Sequence, residues 1–290
     1  MKDQNLHNDL SKVEEQSKAF FSNGTFRWEK SSDEIWEEMQ SAISEHEGRV
    51  IVFRSRTFSY AIAAIFIFLI GMGGFFRFYS KTINVPAGEH QLVELPDGSS
   101  VQLNAQTEIS YNPYWWKINR NVRFNGEAFF KVQKGKRFSV ISDQGITEVL
   151  GTSFNVFSRE DNYKVTCVTG SVKVTSKTMK EVTLLPDSRA TVLPGGGIKV
   201  EKNITTMPDI SWKDNYFQFT AAPFNMVINE IERQYNLEIL VDEPVNDNFT
   251  GNFKRQENID NVLKYVCLPL GLSYTKVSDN TYEIRRNANE

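Results

Sequence analysis

The pattern of apolar positions changes character along the chain. Near its start, Leu6, Leu10, Val13 and Phe20 recur on one helical face, and Ile35, Trp36, Met39, Ala42 and Ile43 make a second stripe. Gly24 and Gly48 are the expected stops, and Ser31 followed by Glu34 has the form of a capping box opening the second helix. Residues 58–76, FSYAIAAIFIFLIGMGGFF, then run for 19 residues without a charge. Such a helix rises roughly 28 Å, close to the ~30 Å hydrocarbon core of a bilayer. The segment predicts one transmembrane helix, represented by Phe58, Ile65, Leu69 and Phe76, rather than a buried core helix or a cleaved signal. Aromatic residues at both ends, among them Tyr60, Phe75, Phe78 and Tyr79, suit the two interfaces.

Beyond the span the period falls to two. Val93-x-Leu95, Val101-x-Leu103, Val122-x-Phe124, Phe130-x-Val132, Phe138-x-Val140, Phe154-x-Val156 and Val172-x-Val174 alternate between turn signals such as Pro96-Asp97-Gly98, Asn125-Gly126 and Gly170-Ser171. This predicts a mostly β domain, a multi-stranded sandwich, barrel or solenoid. Leu95-Pro96-Asp97 recurs as Leu185-Pro186-Asp187, which suggests a repeated strand–turn–strand unit. From about Asn215 the helical period returns. Phe224, Val227, Ile228, Ile231 and Tyr235 form one stripe, with Pro223 at the first helical position. Ile259, Val262, Leu263, Val266, Cys267 and Leu270 form another, and short strands between them complete a βαββαββ order, a small α+β domain. The expected plan is a helical tail (1–57), the span (58–76), a β-rich domain (77–202), a linker around Pro208 (201–214) and the α+β domain (215–290).

Charge adds an asymmetry. The 290 residues carry 33 basic and 36 acidic side chains, which argues against general nucleic-acid binding. Residues 1–48 hold five basic side chains against eleven acidic ones. That excess disfavours an anionic membrane surface and favours a basic protein partner docking on the apolar stripes. Arg49, Arg54 and Arg56 precede the span and Arg77 and Lys81 follow it, a positive-inside bias that places the N-terminus in the cytoplasm.

Catalytic chemistry has little to work with. Cys167 and Cys267 form no CxxC, and His7, His46 and His90 are scattered. Both cysteines read as small buried hydrophobes, an inter-domain disulfide being the alternative. Asp97 reads as a turn-capping residue and Glu127, after Asn125-Gly126, as a turn or edge charge; neither they nor Asp143 reads as catalytic. Trp115-Trp116 beside Tyr111 and Tyr114 reads as interfacial or core packing rather than a sugar platform. No enzyme, metal or cofactor is expected.

LPDGSSVQLNAQTEISY, VRFNGEAFFKV, RFSV and TEVLGTSFNV resemble the periplasmic domain of FecR-type anti-sigma factors over about residues 85–180. The resemblance rests on Asp97-Gly98-Ser99, Val101-x-Leu103-Asn104, Gly126-Glu127-Ala128-Phe129-Phe130 and Gly151-Thr152-x-Phe154-Asn155-Val156. The last part is similar to the domain that follows it in regulators of SusC-like transporters, with a secretin/TonB N-terminal type of fold. The resemblance implies a single-pass inner-membrane protein whose cytoplasmic tail binds an extracytoplasmic-function sigma factor. Its periplasmic part would contact the signalling domain of a TonB-dependent outer-membrane receptor. The tail lacks the His-x-x-x-Cys-x-x-Cys of zinc-binding anti-sigma domains, so binding would rest on Trp28, Ile35, Trp36, Met39 and Ile43. Some FecR-like regulators break a Gly–Thr bond in themselves, and Gly151-Thr152 offers that dipeptide; a glycine and a β-branched residue opening a strand is the favoured reading. The rival to the sigma regulator is a membrane-anchored glycan- or protein-binding module whose tail has no function.

Overall fold

The computed structural model describes residues 12–19, 22, 29–45, 55–256 and 258–287. It divides into two compact units, Met1–Phe66 and Ile67–Glu290. In the first, residues 12–19 are helical and α1 spans Ser32–Glu45. The expected capping box closes α1: the Ser31 amide donates to Glu34 Oε2 (2.9 Å) and the Glu34 amide to Ser31 Oγ (3.2 Å). Leu6, Leu10, Phe20, Gly24, Trp28 and Gly48 lie outside the described residues. Helix α2 covers Ser55–Phe78, two residues past the expected end of the span.

Most of the second unit is a β-sandwich of thirteen strands. One sheet runs β1 (Lys81–Val85), β4 (Thr107–Tyr111), β5 (Arg120–Lys131), β6 (Phe138–Ile141), β7 (Gly145–Val149), β10 (Val172–Ser176) and β11 (Glu181–Leu184). The other runs β2 (Gln91–Glu94), β3 (Ser100–Leu103), β5 again, β8 (Ser153–Arg159), β9 (Asn162–Thr169), β12 (Ser188–Val192) and β13 (Ile198–Lys202). Strand β5 belongs to both: Arg120–Asn125 pairs in the first sheet, Gly126–Lys131 in the second. Gly126 makes that crossing with φ +121°, and a Cβ there would sit 2.7 Å from Thr107 Cα. Asn125-Gly126 is thus no turn between strands but a bend within one. Between the sheets Leu103, Phe130, Phe138, Phe154 and Val165 are fully buried, with Phe130 stacked on Phe154 at 5.1 Å.

The echo of Leu-Pro-Asp is not a repeated unit. Leu95-Pro96-Asp97 closes the β2–β3 hairpin with Leu95 buried, whereas Leu185-Pro186-Asp187 joins β11 in one sheet to β12 in the other and leaves Leu185 64% exposed.

The predicted βαββαββ order is present as β14 (Tyr216–Pro223), α4 (Phe224–Tyr235), β15 (Glu238–Val241), β16 (Asn248–Lys254), α5 (Ile259–Cys267), β17 (Leu272–Lys276) and β18 (Thr281–Arg286). Among the described residues it forms two small sheets: β14 pairs with β16 alone, and β18 lies between β15 and β17. Pro223 precedes α4 as its cap rather than occupying the first helical position. Val227, Ile228 and Ile231 of α4 meet Val262, Leu263 and Val266 of α5 in a core of their own. Residues 203–214 are no loose linker. A short helix α3 (Met207–Ile210) buries Asp209, whose carboxylate accepts from Arg189 Nε (2.7 Å) and Thr166 Oγ1 (2.7 Å), and Trp212 behind it is also buried.

Candidate functional site

Three places carry chemistry or contact surface. On α1 the residues expected to bind a partner share one face and stand in water, with Ile35 37%, Met39 51%, Trp36 63% and Ile43 67% exposed. Asp33 and Glu34 occupy the first turn, and no basic residue occupies the last. Lys30 pairs with Glu38 at 2.6 Å. Trp28 lies outside the described residues.

On α2, Phe58–Phe78 has a mean hydropathy of 2.1 and none of it is buried, which removes the core-helix alternative. Phe58, Ile65 and Leu69 are each at least half exposed, while Phe76 is partly covered by the ring of Tyr114 at 4.9 Å. This makes α2 a candidate membrane-spanning helix.

The third place is where the small domain covers the second sheet. Along β3, β5, β8 and β9, alternate residues point away from the sandwich core, and there Glu127, Asn155 and Thr166 are nonetheless buried. Glu127 accepts from Asn104 Nδ2 and Asn155 Nδ2, both at 2.9 Å. Asn104 Oδ1 accepts from Gln234 Nε2 of α4 (2.6 Å). Gln234 also meets Glu230 Oε1 and His90 Nε2 at 2.9 Å. A continuous polar chain thus crosses from the sandwich to α4. Burial, reinforced by the neighbouring Glu230, pushes the Glu127 carboxyl up to about 7, against the pull of Arg159 and the two asparagines. Burial likewise holds His90 below its ordinary value. Beside this chain opens a cleft of about 590 Å³, lined by Glu127, Arg189, Trp212, Phe217, Phe219 and Arg233 among others.

The reading of Glu127 as a turn or edge charge is therefore wrong. Its neighbours Phe124 and Ala128 identify β5 as a strand, but the alternation marks Glu127 only as pointing away from the sandwich core. Nothing in that local pattern shows the layer on top. A usable signal was there: Asn104, Glu127 and Asn155 each sit in a different one of the motifs quoted above, and in the fold they meet.

The remaining candidates stay apart. Asp97 caps its own turn, accepting from the Ser99 amide (3.0 Å), and also pairs with Arg120. Although burial opposes it, Ser99 and Arg120 hold the Asp97 carboxyl below the usual range. Asp143 is exposed, so the three carboxylates share no site. Cys167 and Cys267 are both buried free thiols in separate cores, which rules out the inter-domain disulfide; burial raises them to about 11 and about 12. Trp116 packs on Tyr111 and Phe138 inside the sandwich. Gly151 and Thr152 stand just before β8. A Cβ on Gly151 would lie 2.7 Å from Lys134 Cα, and Thr152 Oγ1 donates to the Ser171 carbonyl (3.0 Å).

Residues 81–173 match the family model described as FecR protein, and residues 216–284 the one described as FecR, C-terminal. Two crystal structures from Parabacteroides distasonis ATCC 8503, each of a protein described as a candidate anti-sigma factor, are 31% and 30% identical to this chain. Each superposes with a TM-score of 0.66 over 72% of this chain and 100% of its own. No curated protein matches. In sequence, strand architecture and domain order alike, the chain belongs to the FecR-type anti-sigma factor family.

Proposed function

We propose that this chain is a single-pass regulator of the inner membrane that holds an extracytoplasmic-function sigma factor with its cytoplasmic tail. In this reading the periplasmic part receives a signal from the signalling domain of a TonB-dependent outer-membrane receptor of the SusC-like kind. The observation that carries the reading is α1: a capped amphipathic helix whose large apolar side chains face water, in a chain of this family. Exposed stripes of that kind are read by partners as helix-in-groove anchors. The acid excess of residues 1–48 supports a basic partner surface, such as the DNA-binding face of a sigma factor. The arginines before the apolar span, Arg49, Arg54 and Arg56, support a cytoplasmic tail, and the chain itself then touches no nucleic acid.

The receptor contact is assigned to residues 215–290, whose secretin/TonB N-terminal type of fold is part of the proposal. Among the described residues strand β14 pairs on one side only, and its residues line the cleft, so a partner strand could add there. The protein is read as a regulator without catalysis of its own. At Gly151-Thr152 the close approach of Lys134 explains the glycine, and the hydroxyl's hydrogen-bond acceptor, a carbonyl, is too weak a base to activate it. Deleting residues 1–48 from the chromosomal copy is expected to change transcription from sigma-dependent promoters, the sign telling inhibition from activation. Unchanged transcription would favour the membrane-anchored binding module.

A further inference from the structure

Where α2 ends, the sandwich offers a surface that its own packing leaves in water. Asn112 binds the helix end and the β4–β5 loop together. Its Nδ2 donates to the carbonyls of Phe76 and Arg77, both at 2.9 Å, satisfying acceptors that a helix C-terminus otherwise leaves unpaired. Its Oδ1 accepts from the amides of Tyr114 (3.0 Å) and Trp115 (2.9 Å). The ring of Tyr114 then lies 4.9 Å from Phe76 and 5.3 Å from Tyr79, and the Arg77 guanidinium sits over Trp115 at 5.6 Å. The loop is held at the level where α2 stops being apolar. Around it Phe78 is 81%, Ile118 67% and Tyr114 57% exposed. Lys136 reaches the Lys117 carbonyl at 3.5 Å, which brings its ammonium group to the loop, and Lys117 itself is exposed.

Resting on the reading of α2 as a membrane span, we infer that the 113–118 loop is a second membrane contact, a foot that seats in the headgroup layer beside the helix. The occupant follows from the position and the chemistry. A loop fixed to the end of a span cannot leave the interface. Tyrosine and tryptophan, apolar in body and polar at the tip, are the residues that partition there. The lysines and Arg77 match the phosphates of lipid headgroups by charge. A foot of this kind stops the sandwich from swivelling about Ser80, so that displacement of the exterior domain is passed to α2 as tilt or rotation.

The test uses the full chain reconstituted in vesicles of phosphatidylethanolamine and phosphatidylglycerol. Cys167 and Cys267 are buried, so an environment-sensitive dye can be attached to a single exposed thiol from Ile118→Cys, Leu69→Cys or Val277→Cys. Lipids carrying a quencher near the headgroup are expected to quench the dye at position 118, lipids quenched deep in the chain to quench it at 69, and neither to quench it at 277. Lys117→Glu with Lys136→Glu is expected to reduce the quenching at 118 and leave that at 69 unchanged. A dye at 118 that is unquenched, or blue-shifted without quenching as against a second copy of the chain, while 69 is quenched overturns the foot. An unquenched dye at 69 overturns the membrane reading beneath it.

Discussion

Helices α1 and α4 have the same design and opposite surroundings. Both are short amphipathic helices with large aliphatic side chains along one stripe. On α4 that stripe is shut away, with Val227 and Ile231 fully buried against α5 and the small sheets. On α1 the equivalent stripe of Ile35, Trp36, Met39 and Ile43 is exposed. Apolar area kept in water forgoes about 25 cal/mol per Å². A helix of 14 residues is also marginal alone. α4 thus finds its stability within this chain, whereas α1, in the proposed function, finds it in another protein.

The contrast between the two helices is sharpest at Ile231, which is fully buried. Ile231→Ala is expected to destabilise the small domain by about 3 kcal/mol, the usual cost of emptying a buried aliphatic site, and to leave partner binding by the tail unchanged. Thermal denaturation of the detergent-solubilised chain, with copurification of the sigma factor, reads both. Next comes the pH dependence of the seam that α4 makes with the sandwich. A carboxyl raised to about 7 in the folded state favours folding fully below its unfolded value of about 4.3, and this contribution is lost as pH rises through 7. The denaturation midpoint should therefore fall between pH 5 and about 7.5, and Glu127→Gln should flatten that fall. A slope unchanged by the substitution would show that Glu127 is not the titrating group. Gln234→Ala, which strips Asn104 and His90 of a partner, is expected to cost about 1.5 kcal/mol. At the small end, Ile43→Ala on α1 should move stability by less than about 0.5 kcal/mol, because it is already in water. A loss as large as that at Ile231 would mean that α1 packs within this protein after all.

Legibility in the sequence followed the same divide. Elements set by local chemistry were readable: the Ser31–Glu34 capping box, the uncharged run of α2, the βαββαββ order and the alternation that sends Val101, Leu103 and Phe130 inward. What could not be read was contact between layers. On the first sheet Glu108, Arg123 and Asn125 point away from the core into water; on the second, Glu127, Asn155 and Thr166 point away from it into the small domain. Period two separates the faces of a strand but carries no information on whether a third layer covers one of them. Asp209 was lost for a related reason. An acid in a Pro-containing connection looks like solvent-facing linker until Arg189 and Thr166 arrive from distant strands. Asn125-Gly126 has the dipeptide of a hairpin turn, and only the close approach of Thr107 shows why β5 bends there instead.

In the proposed function α1 binds a sigma factor through its apolar stripe rather than by charge alone. The most direct test is the affinity of the full chain for that sigma factor with Trp36 or Glu38 replaced. Trp36→Ala is expected to weaken binding by about 2 kcal/mol, roughly thirtyfold in Kd, as for an anchor residue. Glu38→Ala, on the polar side and paired with Lys30, should change little beyond the salt dependence. Equal small losses from both substitutions would contradict the claim and leave diffuse electrostatics in its place.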